Sequence, residues 1–209
     1  KTAYEIKECD WSSDVCSSDL QFPKVSTNSM NTIRLNIENL KTVTTGLWTI
    51  GQLFQHDDFQ YILDKIETSP DENYIVSPSS PLRYEMTWTT DGILEELHHS
   101  FQKLNSFISD TISTNIEFNQ VRVWRDLPGY RIPFHEDDRV VEGHIQIYVK
   151  SNQIDCGTTW YTPNGRITLP FKSNFGYLTV CKYMYPHGML VPVLNENRYS
   201  IYATFRRKS

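Results

Sequence analysis

The sequence lacks the features that mark several large classes of protein. It has no run of about eighteen apolar residues, so it predicts no membrane-spanning helix. It also has no phosphate-binding loop, no GxGxxG and no nucleophile elbow, so neither a nucleotide-binding site nor a serine hydrolase is predicted. The formal charge of -5 over 209 residues is modest, and no basic aromatic groove for single-stranded nucleic acid is evident.

Residues 1–20 have an unusual composition and no hydrophobic period. They contain KTAYEI and then DWSSDVCSSDL, and these two halves resemble a translated sequencing-library adapter on either side of a short variable index. We therefore expect a non-native segment, typical of a gene assembled from environmental sequencing reads, and exclude it from reasoning about the fold. Residues 21–209 have the length of a single domain.

Cysteine is scarce once that segment is set aside. Of the 4 cysteines, only Cys156 and Cys181 lie beyond residue 20. They show neither CxxC nor zinc-site spacing, and two cysteines make no disulfide framework. We expect both to be small buried apolar side chains in a protein of a reducing, cytoplasmic compartment, although the native N-terminus is missing.

Aromatic residues are abundant, with 12 Tyr, 10 Phe and 5 Trp, and this composition favours a strand-rich fold. Within residues 21–119 the pattern predicts short strands at Thr32–Ile37 and Arg83–Thr89 and helices at Asp57–Thr68 and Asp91–Ser113. The second helix has an apolar stripe made of Ile93, Leu97, Phe101, Leu104 and Ile108. A helix that supports a sheet is the favoured interpretation of this stripe, and a partner-binding helix is the alternative.

From residue 120 onward the pattern changes to short strands with turns at close spacing. Asn164-Gly165 is typical of a two-residue hairpin turn. The predicted strands are Val121–Trp124, Glu142–Lys150, Thr158–Tyr161, Arg166–Leu169, Gly176–Cys181 and Arg198–Phe205. Many antiparallel strands after helices predict a mainly β, jelly-roll-like fold with helices that flank one outer face.

His135 and Asp137 lie two residues apart, so both side chains leave the same face of an extended segment while Glu136 points away. His187 follows about fifty residues later, between Pro186 and Gly188, which indicates a strand end or a tight turn. Two histidines and one carboxylate form the set of ligands that holds Fe(II) and leaves coordination positions open. We therefore predict an iron site at these three residues.

Arg198 and Ser200 form the second half of the pattern. Arg198 follows His187 by eleven residues, and Ser200 lies on the same strand face. A guanidinium group binds a carboxylate through two parallel hydrogen bonds, so this pair predicts a site for a small organic acid. The alternative is an exposed arginine that pairs with Glu196.

The order HxD, distal His and RxS resembles the Fe(II)/2-oxoglutarate-dependent dioxygenases, including microbial, phage-type and prolyl-hydroxylase-like members. The resemblance implies a double-stranded β-helix (cupin-like) core at residues 120–209, with residues 21–119 as a support region of the same oxygenase domain. It implies Fe(II) on His135, Asp137 and His187, 2-oxoglutarate on Arg198 and Ser200, and O2 as the oxidant. The expected reaction is hydroxylation of a C–H bond, with succinate and CO2 as co-products.

Other residues carry weaker expectations. Tyr148 is expected to contact the co-substrate, because it lies on one strand face with His144 and Gln146, although a core role is almost as well supported. Asn174 could donate into the same pocket, but a turn role is favoured. Five residues are expected near the mouth of the barrel, as substrate contacts or as a cap: Tyr130, Arg131, Trp160, Tyr161 and Tyr185.

The substrate and the oligomeric state are left open. A protein side chain, a free amino acid, a nucleobase and a sugar all remain candidate substrates. Two other functions also remain: a cupin-like metal enzyme that does not use 2-oxoglutarate, and a non-enzymatic jelly-roll binding module. The first would use the metal site without Arg198, and the second would bind no iron.

Overall fold

Eleven strands and three α-helices form the regular structure of the residues described by the computed structural model, which are 33–36, 38–87, 92–137, 141–183 and 185–208. The adapter-like residues 1–20 lie outside these ranges. The helices are α1 (His56–Glu67), α2 (Ile93–Gln102) and α3 (Asn105–Ile112). The strands are β1 (Leu40–Thr44), β2 (Leu47–Gly51), β3 (Tyr74–Val76), β4 (Arg83–Met86), β5 (Ile116–Asp126), β6 (Gly143–Lys150), β7 (Thr158–Thr162), β8 (Gly165–Leu169), β9 (Phe175–Val180), β10 (His187–Gly188) and β11 (Arg198–Arg207).

The strands form two antiparallel sheets. The large sheet has the order β1-β2-β9-β6-β11-β5-β4-β3, and the small sheet has the order β10-β7-β8. The predicted hairpin is present, with Thr162 opposite Gly165 across the β7–β8 turn. A large and a small antiparallel sheet with helices on one side match the predicted mainly β, double-stranded β-helix class, which is confirmed.

Strand β6 shows how the two faces of the large sheet differ. Seven of its eight residues are buried, so both faces are covered. Ile145, Ile147 and Val149 join the core cluster that contains the helices, whereas Tyr148 joins a second cluster with Trp160 of the small sheet. The predicted alternation is therefore confirmed, and it places the polar residues of β6 on the face toward the small sheet.

The helical stripe packs against this sheet. All five of its residues are buried, and α2 and α3 both contact β5. The support role is therefore confirmed. The single predicted helix is wrong in one respect, because it is broken between Gln102 and Asn105. There the Leu104 N–H bonds the carbonyl of Phe101, and the Asn105 side chain accepts a hydrogen bond from the Phe118 backbone in β5.

The first half of the chain contributes four strands to the large sheet. Strands β1 and β2 extend it beyond β9, and β3 and β4 extend it beyond β5. The described part of Thr32–Ile37 is not a strand, since it makes only an isolated bridge between Leu35 and Phe54. No helix in the described part of the chain is long and apolar enough to cross a membrane.

Candidate metal centre and the buried arginine beside it

His135 and His187 are neighbours across a short antiparallel bridge. The backbone N–H of His135 donates to the carbonyl of His187 over 3.0 Å, and the reverse hydrogen bond is 2.8 Å long. Strand β10 also pairs with β7, which places His187 opposite Trp160. Main-chain hydrogen bonds thus hold the two histidines side by side, with ring centroids 4.6 Å apart.

In each imidazole, Nδ1 lies within hydrogen-bond distance of a backbone carbonyl oxygen. Nδ1 of His135 lies 3.0 Å from the carbonyl oxygen of Pro133, and Nδ1 of His187 lies 3.1 Å from that of Tyr185. A carbonyl only accepts, so Nδ1 carries the proton in both rings. Each Nε2 then keeps its lone pair, which is the form of histidine that binds a metal.

Asp137 completes the group. Its Oδ1 lies 3.5 Å from Nε2 of His135, and its Oδ2 lies 3.6 Å from Nε2 of His187. The candidate ligand atoms of the three residues all lie within 4.8 Å of one another. The fold thus brings together the three residues that the sequence predicts as metal ligands.

The protonation states favour cation binding. Burial would raise the pKa of Asp137, but contact with His135 and the neighbouring imidazoles lowers it well below its usual value. Burial lowers the pKa of His187. Near neutral pH the site therefore presents a carboxylate and an uncharged imidazole at His187.

His144 is a neighbour of this group. The sequence analysis placed it on the same strand face as Tyr148 but predicted no role for it. It is 1% exposed, and its Nδ1 lies 3.3 Å from Oδ2 of Asp137 without a hydrogen bond of good geometry. Burial lowers the pKa of His144 to about 4, so the ring is neutral. Cys181 lies close by, and its sulfur is within 4.8 Å of ligand atoms of His144 and Asp137. As predicted, Cys156 and Cys181 are buried and form no disulfide.

Arg198 is fully buried in β11, and its partner is Asp126 rather than Glu196, so the alternative of an exposed pair is wrong. Asp126 also binds Arg83 of β4. The sequence analysis missed both residues, because their sequence positions, 72 and 115 residues before Arg198, do not indicate proximity. Only the sheet register brings them together, since Asp126 lies opposite Arg83 and opposite Arg198.

One edge of the Arg198 guanidinium has no hydrogen-bond partner among the residues that the structure describes. Its Nη1 donates to Asp126, whereas Nε and Nη2 are buried without a hydrogen bond. Nε and Nη2 point to the same side of a guanidinium, and they are the pair that binds a carboxylate in parallel fashion. A buried unpaired donor is costly, so this edge is suited to an anionic ligand.

Ser200 is also fully buried, and its hydroxyl accepts a hydrogen bond from the amide of Gln146. Gln146 in turn accepts one from the hydroxyl of Tyr177 over 2.6 Å. The Ser200 proton has no acceptor among these contacts, and so it remains able to donate to a ligand.

Tyr148 lies beside Arg198, with the guanidinium carbon 5.6 Å from its ring. Its hydroxyl donates to Oγ1 of Thr158 and accepts from the Thr158 backbone N–H, both over 2.9 Å. The Tyr148 ring therefore lies next to Arg198, and the Tyr148 hydroxyl already has a hydrogen-bond partner in Thr158. Asn174 has a turn role, since its φ is +60° and its amide makes two hydrogen bonds with the backbone of Phe54.

The residues expected at the mouth divide into two groups. Tyr130 and Trp160 are buried. Tyr130 lies 4.4 Å from the Arg83 guanidinium, and Trp160 stacks 6.3 Å from the His187 ring. These two rings therefore support the site from within.

The other three lie nearer the surface. Arg131 donates from Nε to the carbonyl of Met189, and the Tyr185 hydroxyl donates to the carbonyl of Thr45. Tyr161 is 47% exposed, and its ring lies 4.9 Å from that of Phe134, the residue before His135. The rings of Tyr161 and Phe134 thus form an aromatic pair next to His135, one of the candidate metal ligands.

Comparison with known proteins gives structural matches only. No family model and no curated protein matches the sequence. An oxidoreductase of the 2OG-Fe(II) oxygenase family from Burkholderia pseudomallei, where 2OG is 2-oxoglutarate, matches 78% of this chain and 85% of its own, at 16% identity and a TM-score of 0.56. A prolyl-4-hydroxylase from Pseudomonas putida matches 78% of this chain and 89% of its own, at 13% identity and a TM-score of 0.58.

HygX from Streptomyces hygroscopicus, solved with nickel, 2-oxoglutarate and hygromycin B, matches 78% of this chain and 83% of its own, at 10% identity and a TM-score of 0.59. This chain has the 2OG-Fe(II) oxygenase fold. The predicted resemblance is thereby confirmed for the fold.

Proposed function

We propose that this protein is an Fe(II)/2-oxoglutarate-dependent dioxygenase that hydroxylates a C–H bond. The observation that carries the proposal is the convergence of two features in this fold. The ligand atoms of His135, Asp137 and His187 lie within 4.8 Å of one another, and the large sheet holds a buried arginine, Arg198, with an unpartnered edge. The fold alone does not require either feature.

The donor set fits iron. Two imidazoles and a carboxylate suit Fe(II), and three protein ligands leave coordination positions for a co-substrate and O2. The tautomers set by Pro133 and Tyr185 leave both Nε2 atoms free to bind. His135, Asp137 and His187 would hold the metal.

The arginine fits an organic acid. Nε and Nη2 of Arg198 would bind the distal carboxylate of 2-oxoglutarate, with the Ser200 hydroxyl as a further donor. Tyr148 and Phe171 line the arginine with aromatic rings at 5.6 and 5.4 Å, so they exclude water from it. With iron and 2-oxoglutarate bound, O2 would be the oxidant and succinate and CO2 the co-products, while the protein binds and orients the reactants.

Anaerobic addition of Fe(II) and 2-oxoglutarate to the purified protein tests this function. Chelation should produce a weak visible metal-to-ligand charge-transfer band. The band should disappear in His135→Ala and persist in His56→Ala, which removes an exposed histidine of α1. A wild-type protein with verified iron loading and no band would contradict the proposal.

The reaction is tested by succinate release across a substrate panel. Peptidyl proline is a reasoned first member, because prolyl hydroxylases are among the structural matches, and an aminoglycoside is a second, because HygX was solved with hygromycin B. Arg198→Ala separates the proposal from a cupin-like enzyme that needs no 2-oxo acid. If the Arg198→Ala variant keeps both its turnover and its affinity for 2-oxoglutarate, the result would favour the cupin-like enzyme.

A further inference from the structure

Asp126 lies between two arginines at the end of β5. In the sheet register it is opposite Arg83 of β4 on one side and opposite Arg198 of β11 on the other. Arg83, Asp126 and Arg198 are 5%, 0% and 0% exposed. Three ionised side chains thus form a buried cluster, which we call the Arg-Asp-Arg cluster.

The two arginines form different sets of hydrogen bonds with Asp126. Arg83 donates from Nε to Oδ1 over 2.7 Å and from Nη2 to Oδ2 over 3.1 Å, so its paired edge is fully occupied. Arg198 donates to Oδ2 from Nη1 alone. Arg83 therefore holds the carboxylate in an orientation that leaves the paired edge of Arg198 open.

Arg83 itself is unavailable to a ligand. Its guanidinium carbon lies 3.8 Å from the ring centre of Trp124 and 4.4 Å from that of Tyr130, so aromatic rings pack against it. Cation–π contact and a carboxylate keep its charge stable in the interior. Its role must therefore be exerted through Asp126.

The charges of the cluster do not balance. Two guanidinium groups and one carboxylate leave an excess of one positive charge in the protein interior. Burial of an uncompensated charge is costly, and a ligand with one further carboxylate would neutralise it. Nε and Nη2 of Arg198, which are buried and make no hydrogen bond to the described residues, belong to the residue that would bind that carboxylate.

We propose that Arg83 is a positioning residue that makes the site selective for 2-oxo dicarboxylic acids over 2-oxo monocarboxylic acids. Arg83 does so by binding the Asp126 carboxylate through two hydrogen bonds, so that Asp126 does not neutralise the charge of Arg198. This inference rests on the proposed function. Without Arg83, Asp126 can turn toward Arg198, bind its open edge and neutralise it.

The test compares two acids that differ in one group. 2-Oxopentanoate has the five-carbon chain of 2-oxoglutarate without the distal carboxylate. Their affinities for the iron-loaded full chain are measured under nitrogen by titration of the charge-transfer band. Arg83→Met should weaken 2-oxoglutarate binding by at least about tenfold. Binding of 2-oxopentanoate and of Fe(II) should change less than about twofold, because 2-oxopentanoate has no distal carboxylate to pair with Arg198 and the candidate iron ligands are not members of the cluster.

Two further variants of Arg83 separate charge from packing. Arg83→Gln keeps hydrogen-bond donors near Asp126 but removes the charge, and it should behave as Arg83→Met does. Arg83→Lys keeps the charge and should recover most of the affinity. Arg125→Met is the matched control, since Arg125 is the neighbouring buried arginine of β5 and pairs with Asp71 outside the cluster.

The outcomes are distinct. Wild-type affinity for 2-oxoglutarate in folded Arg83→Met or Arg83→Gln would overturn the positioning role. The positioning role would also be overturned if Arg83→Met lost the same affinity for both acids, or if Arg125→Met lost as much affinity for 2-oxoglutarate as Arg83→Met does. Either result would show that Arg83 contributes only to the fold. If Arg83→Met does not fold, Arg83→Gln carries the comparison, with Arg83→Lys as its reference. Iron-loaded wild type that binds neither acid would instead refute the proposed function.

Discussion

His135 and His187 exchange a pair of backbone hydrogen bonds across the start of the small sheet, and each donates its Nδ1 proton to a backbone carbonyl. The positions and the tautomers of both rings are therefore set by the main chain. Such a site is preorganised before any metal binds, because the ligands need little rearrangement. Asp137, which lies between the two Nε2 atoms, is the remaining candidate ligand.

Replacement of His187 by Ala should remove metal binding and preserve the fold. We expect Fe(II) affinity to fall by more than about 100-fold, because loss of a direct ligand should exceed the loss caused by an outer-shell partner. Anaerobic calorimetric titration measures the affinity, and circular dichroism checks the fold. The variant His56→Ala should bind Fe(II) as the wild type does. Unchanged affinity in His187→Ala would show that the metal, if bound, lies elsewhere.

His144 should tune the metal through Asp137. The Phe substitution keeps the buried ring and removes the nitrogen 3.3 Å from the carboxylate, so we expect a 10- to 100-fold loss of Fe(II) affinity, about the range for outer-shell partners. His144→Asn retains an N–H donor near the Nδ1 position and should recover part of that loss. Equal Fe(II) affinities of the Phe variant and the wild type would argue against this role.

Gly176 should not tolerate a side chain. A Cβ at this position would lie 1.9 Å from the carbonyl oxygen of Gln146, in the neighbouring strand β6. Gly176→Ala should lower the free energy of unfolding by about 1–3 kcal/mol or more, because backbone must move to relieve the overlap. Gly51→Ala is the control, since its Cβ would meet side-chain atoms, a ring edge of Phe175 at 3.3 Å and Cβ of Asn39 at 3.8 Å. Chemical denaturation of both variants should show a much smaller loss in the control.

The helical stripe should contribute to stability rather than to partner binding. Leu97 is 0% exposed within the helix-side core, so Leu97→Ala should cost about 2–5 kcal/mol in unfolding free energy. Ile154 is 69% exposed, and Ile154→Ala should cost less than about 0.5 kcal/mol. Urea denaturation provides both values. A Leu97→Ala protein with wild-type stability would contradict the packing of α2 on the sheet.

Local patterns predicted much of the fold. The alternation in β6, the Asn164-Gly165 turn and the buried stripe from Ile93 to Ile108 are all present, since each depends on the chemistry of neighbouring residues. The helix break near Leu104 was not predicted, and the Asn105 side chain accepts a hydrogen bond there from β5, a contact that helical periodicity does not indicate. Pairing of β2 with β9 is equally non-local and left no signal in the sequence of β2.

The sequence by itself determined which chemistry is available: two histidines and an aspartate at metal-ligand spacing, and an arginine and a serine on one strand face. Strand periodicity paired the first histidine with the aspartate and the arginine with the serine, because alternate residues share a face. The resemblance to the oxygenase pattern joined these two pairs to His187. Only the tertiary structure decided what surrounds them. His144 reaches Asp137, and Arg83 and Asp126 reach Arg198, through strand register and sheet order, which arise from long-range hydrogen bonding rather than from local sequence.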